Sequence, residues 1–179
     1  MDRVQDADLS MAKQLIREHV WRLLEQKGVS RFPRPIWGRI PNFEGTEDAA
    51  ERLRSLQIFV DARVVKVNPD APQRPVREKA LRERKRLLVP TPRLRNGFLM
   101  IDSAENPKID ASYAATIRGA SRYGRPVVLR DLPKVDLIVA GSVAVSRSGV
   151  RVGKGGGYSE IEYGILRELG LVDDATPVV

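Results

Sequence analysis

From residue 64 to residue 169 the chain alternates short apolar, β-branched runs with segments of helical periodicity, which leaves few architectures open. Val64-Val65-Lys66-Val67, ended by Asn68-Pro69-Asp70, reads as a strand, as does Leu87-Leu88-Val89, closed by Pro90-Thr91-Pro92. A weaker strand is expected at Phe98-Leu99-Met100-Ile101 and a short one at Val127-Val128-Leu129. The clearest is Val135 to Val145, broken midway by Gly141 and Ser142. Pro75 can open a helix that Val76 to Lys85 carries, and residues 111–122 form another. From Tyr158 to Leu169 the spacing of Ile161, Ile165, Leu166 and Leu169 is helical, and Gly170 closes the segment.

Earlier in the chain, Asp8 or Ser10 can cap a helix that runs to about Lys27, ahead of Gly28. Leu15, Ile16, Val20, Leu23 and Leu24 would form its buried stripe. A proline-rich stretch from Phe32 to Phe43 excludes regular helix, and a second helix is expected from Thr46 to about Leu56. The whole reads as one α/β domain over residues 1–179: three layers, a mainly parallel sheet with helices on both faces.

Two absences narrow the chemistry. The chain has no cysteine, which removes disulfides, thiolate nucleophiles and Cys-ligated metals. Its single histidine, His19, rules out a multi-histidine metal site. A metal here would be a hard ion held by carboxylate, phosphate or water oxygens, and Mg²⁺ is the natural candidate. With 31 Lys+Arg against 23 Asp+Glu, the formal charge of +8 favours anionic partners, either a polyphosphate ligand or nucleic acid. No apolar run is long enough for a membrane span, and no signal-peptide core follows the N-terminus, so a cytoplasmic location is the default expectation.

The residues best suited to bind an anion are Arg151-Val152-Gly153-Lys154-Gly155-Gly156-Gly157-Tyr158. They join a strand to a helix, where unpaired N–H groups and the helix dipole favour negative charge. Glycines let a phosphate approach the backbone, and Arg151 and Lys154 supply cations to neutralise it. The spacing matches neither a dinucleotide fingerprint nor a Walker A loop. A purely structural turn would also use glycines, so spacing leaves both readings open.

This segment, with the apolar run Val135 to Gly141 before it, resembles the nucleotide-binding signature of the 5-formyltetrahydrofolate cyclo-ligase family, also called methenyltetrahydrofolate synthetases. Lys13-Gln14-Leu15-Ile16-Arg17 looks like that family's N-terminal basic motif. Phe32 to Pro35, Arg39 to Phe43, Lys66 to Asp70, Leu87 to Arg95 and Gly141 to Ser146 resemble most closely its methenyltetrahydrofolate synthetase domain-containing branch. The likeness covers about residues 12–179 and implies a cyclo-ligase fold of the CoA-transferase-like group.

The resemblance implies ATP and Mg²⁺ as ligands, with Lys13 and Arg17 approaching the triphosphate from the first helix. It implies that Arg151, Gly153, Lys154, Gly155, Gly156 and Gly157 wrap the phosphates, with Tyr158 beside the ligand and Glu160 near the metal. Arg151 and Lys154 would be the catalytic cations. The implied reaction is ATP-dependent closure of 5-formyltetrahydrofolate to 5,10-methenyltetrahydrofolate.

Three departures bear on the folate half. Ala71-Pro72-Gln73-Arg74-Pro75 lacks the glutamate with which the enzymes read the pterin. Arg125 to Arg130 replaces an Ile-Pro-Glu-Pro-like stretch. The chain ends at Thr176-Pro177-Val178-Val179, where the family's next strand would begin, as a fragment or a shortened product would. An open sheet edge there could be closed by another chain. The rival expectation is a non-catalytic RNA-binding module that keeps the fold, using Arg74, Arg77, Lys79, Arg82, Arg84, Lys85 and Arg86 with Arg93 and Arg95. Such a run also occurs simply as a solvated helix face.

Overall fold

Side chains alternate between the two faces of a strand, and here that alternation builds two separate cores. The computed structural model describes residues 2–179. The chain opens with α1 (Asp2–Gln26), a small ribbon of β1 (Ser30–Arg31) and β2 (Asn42–Phe43), then α2 (Thr46–Arg54) and α3 (Gln57–Asp61). There follow β3 (Val64–Val67), α4 (Arg74–Arg82), β4 (Arg86–Pro90), β5 (Phe98–Asp102), α5 (Ala111–Ala114), α6 (Ile117–Tyr123) and β6 (Arg125–Val127). The last elements are β7 (Leu137–Val139), a second ribbon of β8 (Ala144–Val145) and β9 (Arg151–Val152), and α7 (Tyr158–Glu168).

The central sheet has the order β6-β5-β4-β3-β7. On one face Val65, Val67, Leu87, Val89, Leu137 and Val139 meet Ala50, Phe59, Val76, Ala80, Ala114 and Ala120 from α2 to α6. On the other face Val64, Leu88 and Ile138 meet Leu166 of α7 together with Leu132, Val135 and Val172. The expected three layers are present, but the sheet is mixed. β3 pairs in parallel with β4 and with β7, whereas β4–β5 and β5–β6 are antiparallel. The reason is local for β4 and β5, because the turn from Thr91 to Gly97 is far too short for a parallel crossover.

Beyond β7 the backbone of Pro177 to Val179 joins the sheet. Ile138 N–H donates to Pro177 O at 3.0 Å, Val179 N–H to Ile138 O at 2.9 Å, and Ala140 N–H to Val179 O at 2.7 Å. Asp136 ties the start of β7 to β3 by accepting from the amides of Arg63 and Val64 at 2.9 and 2.8 Å.

Several sequence expectations need correction. The first helix begins at Asp2, well before the caps expected at Asp8 or Ser10, and the strand expected at Val127-Val128-Leu129 lies at Arg125–Val127, with Leu129 already in a 3-10 turn. The long apolar run breaks at Gly141 and Ser142, as expected, but only Leu137–Val139 lies in the central sheet, and Ala144–Val145 pairs with β9 instead. Residues 111–122 form two helices, because Thr116 starts a new one by accepting from Gly119 N–H through its hydroxyl. On α1 the buried face is Trp21 with half-buried Arg17, Val20 and Leu24, while Leu15, Ile16 and Leu23 stand exposed. That face packs on Ile36, Ile40 and Val143, which brings the helix against the β8–β9 ribbon.

Candidate functional site

The β8–β9 ribbon hands the chain to α7 through Gly153–Gly157, and this handover gathers most of the predicted residues. Gly155 sits at φ +100° and Gly157 at φ +67°, conformations that side chains resist. Gly157 caps α7 with no side-chain hydrogen bond, so the helix's first amides have no polar side chain over them. Tyr158 is half-buried, its ring folded back against Gly156.

Three cations converge on the turn. Arg17 reaches from α1 and donates from Nε to Gly153 O at 2.7 Å, and its guanidinium lies beside Gly155. Arg151 donates from Nε to Ser142 Oγ at 3.1 Å and from Nη2 to Gly141 O at 2.9 Å, while Nη1 pairs with Glu160. Lys154 donates from Nζ to Asp70 Oδ1 at 2.8 Å. Each cation is thus preoriented by carbonyl or carboxylate oxygens that a polyanion could replace.

Lys13 lies one turn before Arg17 and is exposed; among the described residues no hydrogen bond or ion pair ties it to the turn. Glu160 is exposed and holds Arg151. Among the described residues no three acidic or histidine side chains gather into a metal cluster, so a metal near Glu160 would rely on phosphate and water oxygens.

Beside the turn lies an apolar cavity of about 630 Å³. Val20, Leu24, Ile40, Leu53, Val76 and Val143 contribute its apolar wall, with Gly141 and Ser142 on the side facing Arg151. Gln73 is buried at its edge and donates Nε2 to Val139 O at 3.0 Å. That carbonyl fixes the amide's orientation and leaves Gln73 Oε1 without a partner, pressed toward the α-carbon of Gly141.

Asp70 and Gln73, which border the candidate site, carry no signal of that placement in the sequence, although they lie within the distinctive stretches Lys66 to Asp70 and Ala71 to Pro75. What unites them is that each leaves the end of β3 on the side where β7 ends, a proximity visible only once the strand order is known. The basic run also looks different in three dimensions. Arg77 is buried and donates to Ala115 O, Asn68 O and Asp70 O; burial pushes its guanidinium down to about 10, still charged at neutral pH. Lys85 is buried against Val60 O, Ala62 O and the Phe59 ring. Lys79 pairs with Glu51 and Arg82 with Glu78. The run is therefore not one solvated face. His19 is exposed, and Trp21 and Trp37 pack on each other 5.4 Å apart, with Trp21 Nε1 donating to Arg39 O. None of the described helices is long and apolar enough to cross a membrane.

The model of the 5-formyltetrahydrofolate cyclo-ligase family matches residues 9–179. A methenyltetrahydrofolate synthase domain-containing protein of Bos taurus is 47% identical over 171 residues, which are 94% of this chain and 45% of that protein. Proteins of the same name from Mus musculus and Homo sapiens are 47% and 43% identical, over 94% and 96% of this chain. The chain spans about half the length of these curated relatives.

Proposed function

This chain belongs to the 5-formyltetrahydrofolate cyclo-ligase family, and on that footing we propose that it binds Mg·ATP at the Gly153–Gly157 turn, as a cytoplasmic protein. The observation that carries the reading is the convergence of Arg17, Arg151 and Lys154 on a glycine turn at the uncapped start of α7. Amide hydrogens and the helix dipole would hold phosphate oxygens. Arg151 and Lys154 would neutralise charge as a phosphoryl group moves, the contribution that matters most in phosphoryl transfer. Glu160 and Asp70 lie where, released from these cations, they could face a phosphate-bound Mg²⁺.

The neighbouring cavity, whose Gly141 and Ser142 are also held by Arg151, would give room for a second ligand. A folate is the substrate class that family membership suggests. Gln73, neutral and with one free acceptor, stands in the region where the enzymes use a glutamate, so 5-formyltetrahydrofolate is expected to turn over slowly or not at all. Titration calorimetry with Mg·ATP tests the nucleotide half; no heat at high micromolar nucleotide removes it. Absorbance of the methenyl product tests the folate half separately.

A further inference from the structure

Lys66 is the third residue of β3, on the same face as Val64, which points it toward α7 through an otherwise apolar layer. It is 1% exposed, and its ammonium pairs with the carboxylate of Glu162, 3% exposed, on α7. Asn68, also buried, donates Nδ2 to the same carboxylate oxygen at 2.8 Å. Its Oδ1 accepts from Lys66 Nζ at 3.3 Å and from Gly141 N–H at 3.4 Å. The carbonyl of that same Gly141 receives Arg151.

Stability is a poor explanation for this cluster. Desolvating two charges consumes most of what their attraction returns, and apolar residues of similar volume often serve as well or better. The neighbours Val64, Leu88, Ile138 and Leu166 would accept them. Burial does hold the Lys66 ammonium below its ordinary pKa, the mark of a charge kept at a cost. What an apolar pair cannot provide is direction. A hydrogen-bonded ion pair fixes one rotation of α7 about its axis, and Glu162 lies one turn beyond Tyr158, where the helix leaves the glycine turn.

We propose that Lys66, Glu162 and Asn68 form a positioning cluster that sets the orientation of the α7 start and of Arg151, and through them the fit of the phosphate cradle. The inference rests on the nucleotide reading above. The cluster is buried and acts through Gly141, Arg151 and the helix, as outer-shell groups do in other preorganised sites.

The test replaces both charges with apolar residues of similar length, Lys66→Met with Glu162→Met, and measures thermal midpoint and affinity for Mg·ATP and inorganic triphosphate. The expected result is a midpoint held or raised, with affinity for both anions reduced about tenfold. If the double variant fails to fold, Asn68→Ala gives the same readout, since it leaves the ion pair intact and severs the link to Gly141. Wild-type affinity in a well-folded variant overturns the positioning role alone. Absence of anion binding by the wild-type chain removes the nucleotide reading and this inference together.

Discussion

Lys154 Nζ lies 2.8 Å from Asp70 Oδ1, so the glycine turn before α7 is latched to the loop that leaves β3. The pair is partly exposed and contributes little to stability, at most about 1 kcal/mol. Its larger effect falls on an incoming anion, which meets a cation already half neutralised. Asp70→Asn should therefore tighten metal-free triphosphate binding by about threefold, as removal of one nearby like charge would. Calorimetry at low salt without Mg²⁺ reads this directly, and weaker binding would show that Asp70 does not oppose the anion.

Gly155 holds φ +100°, and an added methyl would lie 3.5 Å from the Arg17 guanidinium carbon. Gly155→Ala should cost about 1 kcal/mol of stability and weaken triphosphate binding about tenfold by reshaping the turn. Gly149→Ala is the control, because Gly149 sits at φ +85° in the β8–β9 turn with open space around it. It should lower the thermal midpoint similarly and leave anion affinity alone. Equal loss of affinity in both variants would refute a specific role for the turn.

A methyl on Gly141 would come within 2.8 Å of Gln73 Oε1 and 3.3 Å of Ile40 Cγ1. Gly141→Ala should then destabilise by about 1–3 kcal/mol through overpacking. Adding Gln73→Ala should recover about 1 kcal/mol of that loss, a coupling between neighbours that urea unfolding of the four proteins would measure. Strict additivity would mean that the two residues do not meet as described.

Asp173 accepts from Ala175 N–H at 3.0 Å and Thr176 Oγ1 at 3.2 Å, and these bonds hold its carboxyl below the ordinary aspartate range. A depressed folded pKa gives stabilisation that is complete above the unfolded value of about 3.9 and lost as pH falls through the lower folded one. The turn presents Pro177–Val179 to β7, so amide exchange at Val179, taken relative to an unstructured peptide at the same pH, should quicken below about pH 4 ahead of the sheet core. Asp173→Asn should show the quicker exchange already at neutral pH. A Val179 amide that stays protected in acid would contradict the assignment.

Much of this molecule could be read from residue order, and the failures share a cause. Val64–Val67 and Leu87–Val89 announce themselves because buried strands need unbroken apolar runs. The glycine turn is equally plain, since few other uses concentrate so many glycines beside two cations. Helix faces were harder. On α1, Leu15 and Ile16 lie as near to helical register with Val20 as Arg17 and Trp21 do, and only the partner surface of Ile36, Ile40 and Val143 decides between them. On α7, Ile161 is exposed and Glu162 buried, an inversion that no hydropathy pattern contains. Glu162 is inside because Lys66 is inside, and those two lie 96 residues apart. Arg77 and Lys85 are hidden for a similar reason: Arg77 donates to Ala115 O, 38 positions away, and Lys85, just past the end of α4, donates to Ala62 O, 23 positions away.

The Arg17–Gly153 hydrogen bond spans 136 positions of sequence. A ligand seated there would clasp segments that lie far apart in the chain and are brought together by the fold. Its binding would report on the integrity of the entire domain, and mass action would return the favour by protecting that domain from heat and proteases in proportion to how far the ligand exceeds its dissociation constant.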